Sequence, residues 1–367
     1  MHVDTTEVVW TVVKMLVVIF MLLNVTPIMV WVERRGSALI QDRPGPNRVG
    51  PMGLFQSFAD ALKFILKEDV IPAQANKWLY TLAPMFGLLP ALTTMAVIPW
   101  GEPFLLYNVH RFGRTWFADV PRTFNPIVTD ANAGILVIFA LASLSVYGLA
   151  TAGWSSANKY SLFGGIRASA QMISYELALT LSAVSALMVG GSLRLTDVVQ
   201  SQRGTFVLFD FLRIPAWNCF SPAMWMSMIV FIVSAFAETN RLPFDFAEAD
   251  SELVAGYHTE YASMKFALFF MSEYMAMAAI SALTVTLFFG GWDIPWWNEP
   301  GTWWSSLLTM AFFVGKVVVC LLVFVWVRWT IPRLKYDLLM RLGWKVFLPM
   351  AVVNVVVVAW FMAKGWL

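Results

Sequence analysis

Apolar residues recur along this chain in near-unbroken blocks of about twenty, the length that crosses a hydrocarbon core of roughly 30 Å. Eight such blocks fall at roughly 9–32, 78–100, 130–153, 170–191, 222–238, 265–290, 303–328 and 344–364. Backbone polar groups in lipid need partners within their own segment, and no ten-residue alternation of a barrel is visible, so the blocks predict helices. The stretches between them are unequal. Two are long and charged, 33–77 and 239–264, whereas 101–129 and 192–221 offer no readable role. The pattern predicts an all-α polytopic bundle. It forms a single membrane domain, 1–367, with amphipathic helices on one membrane surface.

Composition agrees: 59% of residues are hydrophobic and 13% charged, too few charges to cover a soluble protein of this size. The start, MHVDTTEVVW, lacks a basic n-region and a small-residue cleavage site, and reads as a short tail before a retained first helix. Cys219 and Cys320 lie far apart without a CxxC, which argues against iron–sulfur ligation by this chain. With both termini outside, the inner loops and helix ends hold more than twice as many Lys and Arg as the outer ones, so the positive-inside rule favours that orientation. Trp292, Trp296, Trp297, Trp303 and Trp304 gather at one outer connection, as an interfacial belt does. No internal repeat is visible, which weighs against transporter folds built from two similar halves.

The first long segment contains RPGPNRVGPMG, too rich in Pro and Gly for a helix. After it, Leu54, Phe58, Leu62 and Ile65 recur at helical spacing, predicting an amphipathic helix of about four turns that lies on the membrane or packs on a partner. Its glycines make neither a P-loop nor a dinucleotide fingerprint. Two readings stand. One is a surface loop with an anchoring helix. The other is a rigid mouth to a membrane cavity, with Arg34, Arg35, Asp60 and Lys67 facing polar head groups.

The second segment, ETNRLPFDFAEADSELVAGYHTEYASMK, carries six acids against one base, Arg241, up to residue 260, on the side that should be positive. Pro243 ends the preceding helix. A new helix beginning at Asp245 would set Asp245, Glu248 and Glu252 on one face. Crowded carboxylates do not all stay ionised cheaply, so such a group can load and release protons, with coupled titrations. Helix capping and salt bridges to the basic segment are the alternative, and the two are compatible. Within the spans, Glu176 lies ~9 Å and Glu273 ~12 Å deep at 1.5 Å per residue. A lone charge at mid-bilayer costs roughly 2.5–3.5 kcal/mol, which marks both as functional candidates. Glu33, Glu176, Glu238 and Glu273 all belong to the inner half, while the outer half offers Lys14 and Lys316. Protons are therefore expected to pass sideways to a partner rather than straight across.

Four strings carry a family resemblance. GPNRVGPMGLFQSFADALKFILKE, NKYSLFGGIRASAQMISYE, ETNRLPFDFAEADSELVAGYHTEYASMKFALFFMSEY and the tail RWTIPRLKYDLLMRLGWKVFLP resemble the quinone-site membrane subunit of respiratory complex I. They anchor most of the chain. The resemblance implies the eight-helix fold, a share in a proton-pumping translocase that is not catalytic alone, and a place at the junction with the peripheral arm. Residues matching its quinone-chamber and junction positions are Glu33, Arg34, Arg35, Asp60, Lys67, Arg241, Asp245, Glu248, Asp250 and Glu252. Asp250 stands where many members have Glu. Those matching its acidic proton path are Glu176, Glu238 and Glu273. The substrate implied is a quinone, ubiquinone or menaquinone. Flavin, iron–sulfur clusters and nucleotide belong to other subunits, and no metal site is implied. Expected partners are the peripheral-arm quinone-site subunits, the small and antiporter-like membrane subunits, and membrane lipid, with no nucleic acid. The expected location is the bacterial inner membrane with periplasmic termini, or alternatively the mitochondrial inner membrane. A ferredoxin-driven photosynthetic complex or an energy-converting hydrogenase carries an equivalent subunit, and the sequence does not name the electron donor.

Overall fold

The computed structural model describes residues 5–106, 110–111, 114–115, 122–208, 212–247, 254–297 and 302–365. Its helices are α1 (Thr5–Ile40), α2 (Gln56–Leu66), α3 (Lys77–Thr94), α4 (Gly134–Ser155), α5 (Lys159–Gly190), α6 (Leu195–Ser201) and α7 (Pro222–Glu238). They continue with α8 (Ser263–Phe288), α9 (Trp303–Thr330), α10 (Tyr336–Leu342) and α11 (Leu348–Ala363), the last two joined by a π-helical turn, Gly343–Phe347. The fold is all-α and polytopic. Six helical stretches among the described residues are long and apolar enough to cross a membrane, those of α1, α4, α5, α8, α9 and α10 through α11. The apolar helix α7 is shorter, with 17 residues. Helix α3 has 18 residues and holds Pro84 and Pro90.

Two helices run well past their apolar blocks. Helix α1 continues through Glu33, Arg34 and Arg35 to Ile40, and α5 starts at Lys159 rather than near 170. Hydropathy falls where a chain leaves lipid, but a helix ends only where its hydrogen-bond ladder is broken. For α1 the break comes with RPGP; for α5 the start is set by Asn158, whose side chain accepts from Tyr160 N at 2.9 Å. The amphipathic helix α2 has 11 residues, about three turns rather than four. The residues before it, Gly50, Met52 and Gly53, take positive φ and form a tight turn. Phe58, Leu62 and Ile65 on α2 face outward, exposed, while Ser57 is buried and donates to Pro27 O at 2.7 Å.

Helices α5 and α8 supply the most buried faces, and α1, α9 and α11 lie at the periphery. The two long charged segments sit at one end of the bundle. At the other, the connections carry three short antiparallel ribbons, pairing 104–106 with 122–124, 110–111 with 114–115, and 205–208 with 212–215. Small residues let the backbones meet. A Cβ on Gly164 of α5 would lie 2.6 Å from Tyr257 N and 2.7 Å from Gly256 C, both backbone atoms that have little room to move. Gly164→Ala is therefore expected to cost about 1–3 kcal/mol by overpacking. The check is the thermal inactivation midpoint of the purified assembly, and an unchanged midpoint would count against this account of the contact.

Candidate functional site

Because α1 stays helical to Ile40, Glu33 enters the bundle instead of lying in a loop, and it is buried. Its Oε2 accepts from Tyr274 Oη at 2.5 Å, and its Oε1 pairs with Arg328 Nη1. Arg241 Nη1 stands 3.7 Å from the same Oε2, and Arg241 Nη2 stands 4.0 Å from Glu273 Oε2. The Arg241 guanidinium also lies 4.2 Å from the Tyr274 ring centroid, within the range of a cation–π contact. Tyr257 Oη closes the far side by donating to Glu273 Oε1 at 3.1 Å. Two carboxylates and two guanidiniums thus meet from α1, α8, α9 and the turn after α7. Among the described residues their formal charges balance, as a buried set requires.

The turn that delivers Arg241 is held from α5. Gln171 is fully buried, and its Nε2 donates to Ala237 O at 2.9 Å, to Phe244 O at 2.7 Å and to Asn240 Oδ1 at 3.3 Å. Asn240 takes φ 49°, one of the few non-glycine types that tolerate the left-handed region, and the chain folds back so that Arg241 N donates to Phe236 O. From the tail, Arg333 Nη2 pairs with Asp245 at 3.0 Å and Leu334 N donates to Pro243 O at 3.3 Å. Asp245 through Ala247 are not helical. The rest of the face predicted from Asp245, with Glu248, Asp250 and Glu252, lies outside the described residues. At the close of this segment Tyr261 stacks on Tyr80, centroids 4.1 Å apart, and burial pushes its phenol up to about 12. It therefore stays neutral and donates to Tyr80 O at 3.1 Å.

A cavity enclosing about 820 Å³, counting its open mouth, runs between α3, α4, α5, α7 and α8. Its walls are mostly apolar, with Glu238, Thr239, Asn240, Tyr257 and Glu273 among the polar residues that line it, together with Thr94, Ser145 and Ser272. Glu238 Oε2 is buried and has no hydrogen-bond partner among the described residues. Glu176 lies within electrostatic reach of it and accepts from Ser143 Oγ. With α5 beginning at Lys159, Glu176 falls midway along that helix, not near its start.

The remaining sequence candidates separate. Arg34 pairs with Asp60 at 2.5 Å at the surface, and Gln56 Nε2 donates to Asp60 Oδ1 at 3.2 Å. Arg35 holds the Pro- and Gly-rich loop, donating from Nη2 to Met52 O at 2.9 Å and Pro46 O at 3.3 Å. Lys67 is exposed at the end of α2, away from the buried cluster. Sequence reasoning passed over Tyr274, Tyr257, Arg328, Arg333, Gln171 and Ser143. Arg328 in the last turn of an apolar helix, and Tyr274 beside an intramembrane Glu, were the available signals.

Residues 13–359 match the NADH dehydrogenase family. The NADH-quinone oxidoreductase H subunit of Leptospira biflexa is 44% identical over 339 residues, covering 92% of this chain and 90% of the relative. The corresponding H subunit of Salinibacter ruber is 44% identical over 361 residues, covering 96% and 95%. One from Geobacter metallireducens is 45% identical over 350 residues, covering 95% of each. With likeness at this level along nearly the whole length, the chain belongs to the NADH dehydrogenase family, as a complex I membrane subunit of the H type.

Proposed function

We propose that this subunit forms much of the quinone chamber at the junction with the peripheral arm of complex I and couples quinone reduction to proton movement. Glu33, Arg34, Arg35, Asp60, Lys67, Arg241, Asp245, Glu248, Asp250 and Glu252 serve the chamber and junction, and Glu176, Glu238 and Glu273 the proton path. The observation that carries the reading is Arg241, placed between Glu33 of the first set and Glu273 of the second, 3.7 and 4.0 Å away. Reducing a quinone to a quinol takes up two electrons and two protons. The electrons come from a cluster in a neighbouring peripheral subunit. The proton demand and transient negative charge at the head group act on the acidic segment, and a guanidinium shared by two carboxylates passes that change inward. As Arg241 leans toward one carboxylate it releases the other to bind a proton. Glu238, whose Oε2 has no hydrogen-bond partner among the described residues and which lines the cavity, is available to exchange protons with Glu273 and Glu176. The chain sits in the bacterial inner membrane with both termini periplasmic, beside peripheral-arm, small membrane and antiporter-like subunits.

The test is to isolate the tagged chain from native membranes in mild detergent and assay NADH:quinone oxidoreduction with a quinone-site inhibitor. Inhibitor-sensitive activity in a many-subunit complex is expected. The double substitution Glu248→Gln with Glu252→Gln is expected to lower that activity or its coupling, and full coupled turnover in the double variant would remove those residues from the mechanism. A complex that reduces quinone with ferredoxin and ignores NADH would overturn the choice of electron donor.

A further inference from the structure

The ribbon end of the bundle is built on a different plan from the charged end. Lys316 on α9 points its Nζ at three backbone carbonyls, Phe289 O at 2.7 Å and Gly291 O and Asp293 O at 2.9 Å each. The three N–H donors of a charged ammonium match these three acceptors one to one. These carbonyls follow α8, where the helix dipole favours a cation. The Trp217 ring lies 3.9 Å from Nζ, and Trp217 Nε1 donates to Asp293 Oδ2 at 3.0 Å. Arg203 pairs with Glu102 at 2.8 Å and approaches Asp293 at 3.8 Å. Glu102 and Asp293 are both buried, and each is held by a donor. Beneath them, past the buried Gln202 and Asn218 that donate to Thr286 O and Leu287 O, lies a closely packed apolar layer. Ile135 and Leu287, one helical turn beyond the cavity residues Ile138 and Leu283, are fully buried, as are Ile98, Phe231 and Phe288.

We propose that this end of the chain is an insulating plug, in which the apolar layer backed by the carbonyl-bound ammonium of Lys316 stops protons leaving the cavity toward the ribbon side. A migrating proton needs water or a titratable acceptor at each hop. Among the described residues the layer's named side chains are fully buried and apolar, with no titratable group, and the ammonium behind it repels an excess positive charge. Protons in the cavity are thereby confined to lateral transfer. The inference rests on the reading above that the cavity carries protons.

The experiment uses the intact complex in inverted membrane vesicles. A pH gradient is imposed without NADH and its decay is followed, normalised to assembled complex on native gels. Lys316→Gln is expected to speed the decay several-fold, and Lys316→Arg, which keeps the charge, to decay like the parent. A purely structural role would lower the amount of assembled complex without raising leak per complex, so parent-like decay in assembled Lys316→Gln overturns the proposal. If that variant does not assemble, Arg203→Gln decides. Removing this half-exposed guanidinium frees Glu102 as a proton acceptor beside the layer. Faster decay supports the plug and parent-like decay overturns it. Adding Glu238→Gln to a leaking variant separates the two ideas. Return to the parent rate supports both, whereas a persisting leak keeps the plug and removes Glu238 as its proton source.

Discussion

Arg241→Met is expected to deplete the assembled complex and abolish its quinone reductase activity, while Arg34→Met, another arginine of the same candidate set, is tolerated. The difference is burial. Arg241 is 5% exposed and lies between two carboxylates, so its removal leaves net negative charge in a largely buried site. Breaking a buried pair from one side costs about 3–5 kcal/mol, a large share of the roughly 5–15 kcal/mol that holds a typical domain together. The Arg34–Asp60 pair is close, but the Arg34 side chain is 46% exposed, and such pairs contribute about 0–1 kcal/mol. The measurement is native-gel yield and thermal inactivation of the two single variants, with Glu273→Gln added to Arg241→Met. If charge imbalance is the cause, the added neutralisation recovers part of the loss, a coupling expected of groups in one network. Equal stability of the Arg241 and Arg34 variants would sink the account of the buried cluster.

The contrast shows how far the sequence could be read. Glu33, Arg34 and Arg35 are consecutive, and as a sequence they form one charged cluster. On a helix successive side chains turn by about 100°, so the three diverge. Glu33 goes into the bundle, Arg34 to Asp60 on α2, and Arg35 to the carbonyls of the loop. Nothing in the local pattern says that the helix persists to Ile40, because the fall in hydropathy marks the membrane boundary and not the helix end. The apolar blocks and the anomalous acids were legible because burial in lipid restricts composition locally. The partners were not. Arg328 meets Glu33 across 295 positions and Tyr274 meets it across 241, distances over which no periodicity operates. Lys316, read as an isolated charge within a span, turns out to satisfy carbonyls at the end of a neighbouring helix. Only packing reveals such a role.

Glu238→Gln is expected to do the opposite of Arg241→Met, leaving the complex assembled and stopping its proton transport. The side chains differ by one group and have nearly the same volume. Glu238 Oε2 has no hydrogen-bond partner among the described residues, so the amide breaks no observed bond there. It also faces the cavity, where the added N–H₂ has room for itself and for a water partner. Stability should therefore change little. Proton handling should not survive, because an amide neither binds nor releases a proton near neutral pH, and Glu238 shares a cavity with Glu273 and lies within electrostatic reach of Glu176. Loss of a positioned acid–base group typically costs 10²–10⁴-fold, and a leaky bypass through water would soften this to about tenfold or more. The measurement pairs NADH-driven acidification of inverted vesicles with NADH oxidation by an artificial acceptor that bypasses the quinone. Parent-like oxidation with acidification lost is the expected outcome. Parent-like acidification would take Glu238 off the proton path, and its buried oxygen would then be a tolerated polar atom at a cavity wall.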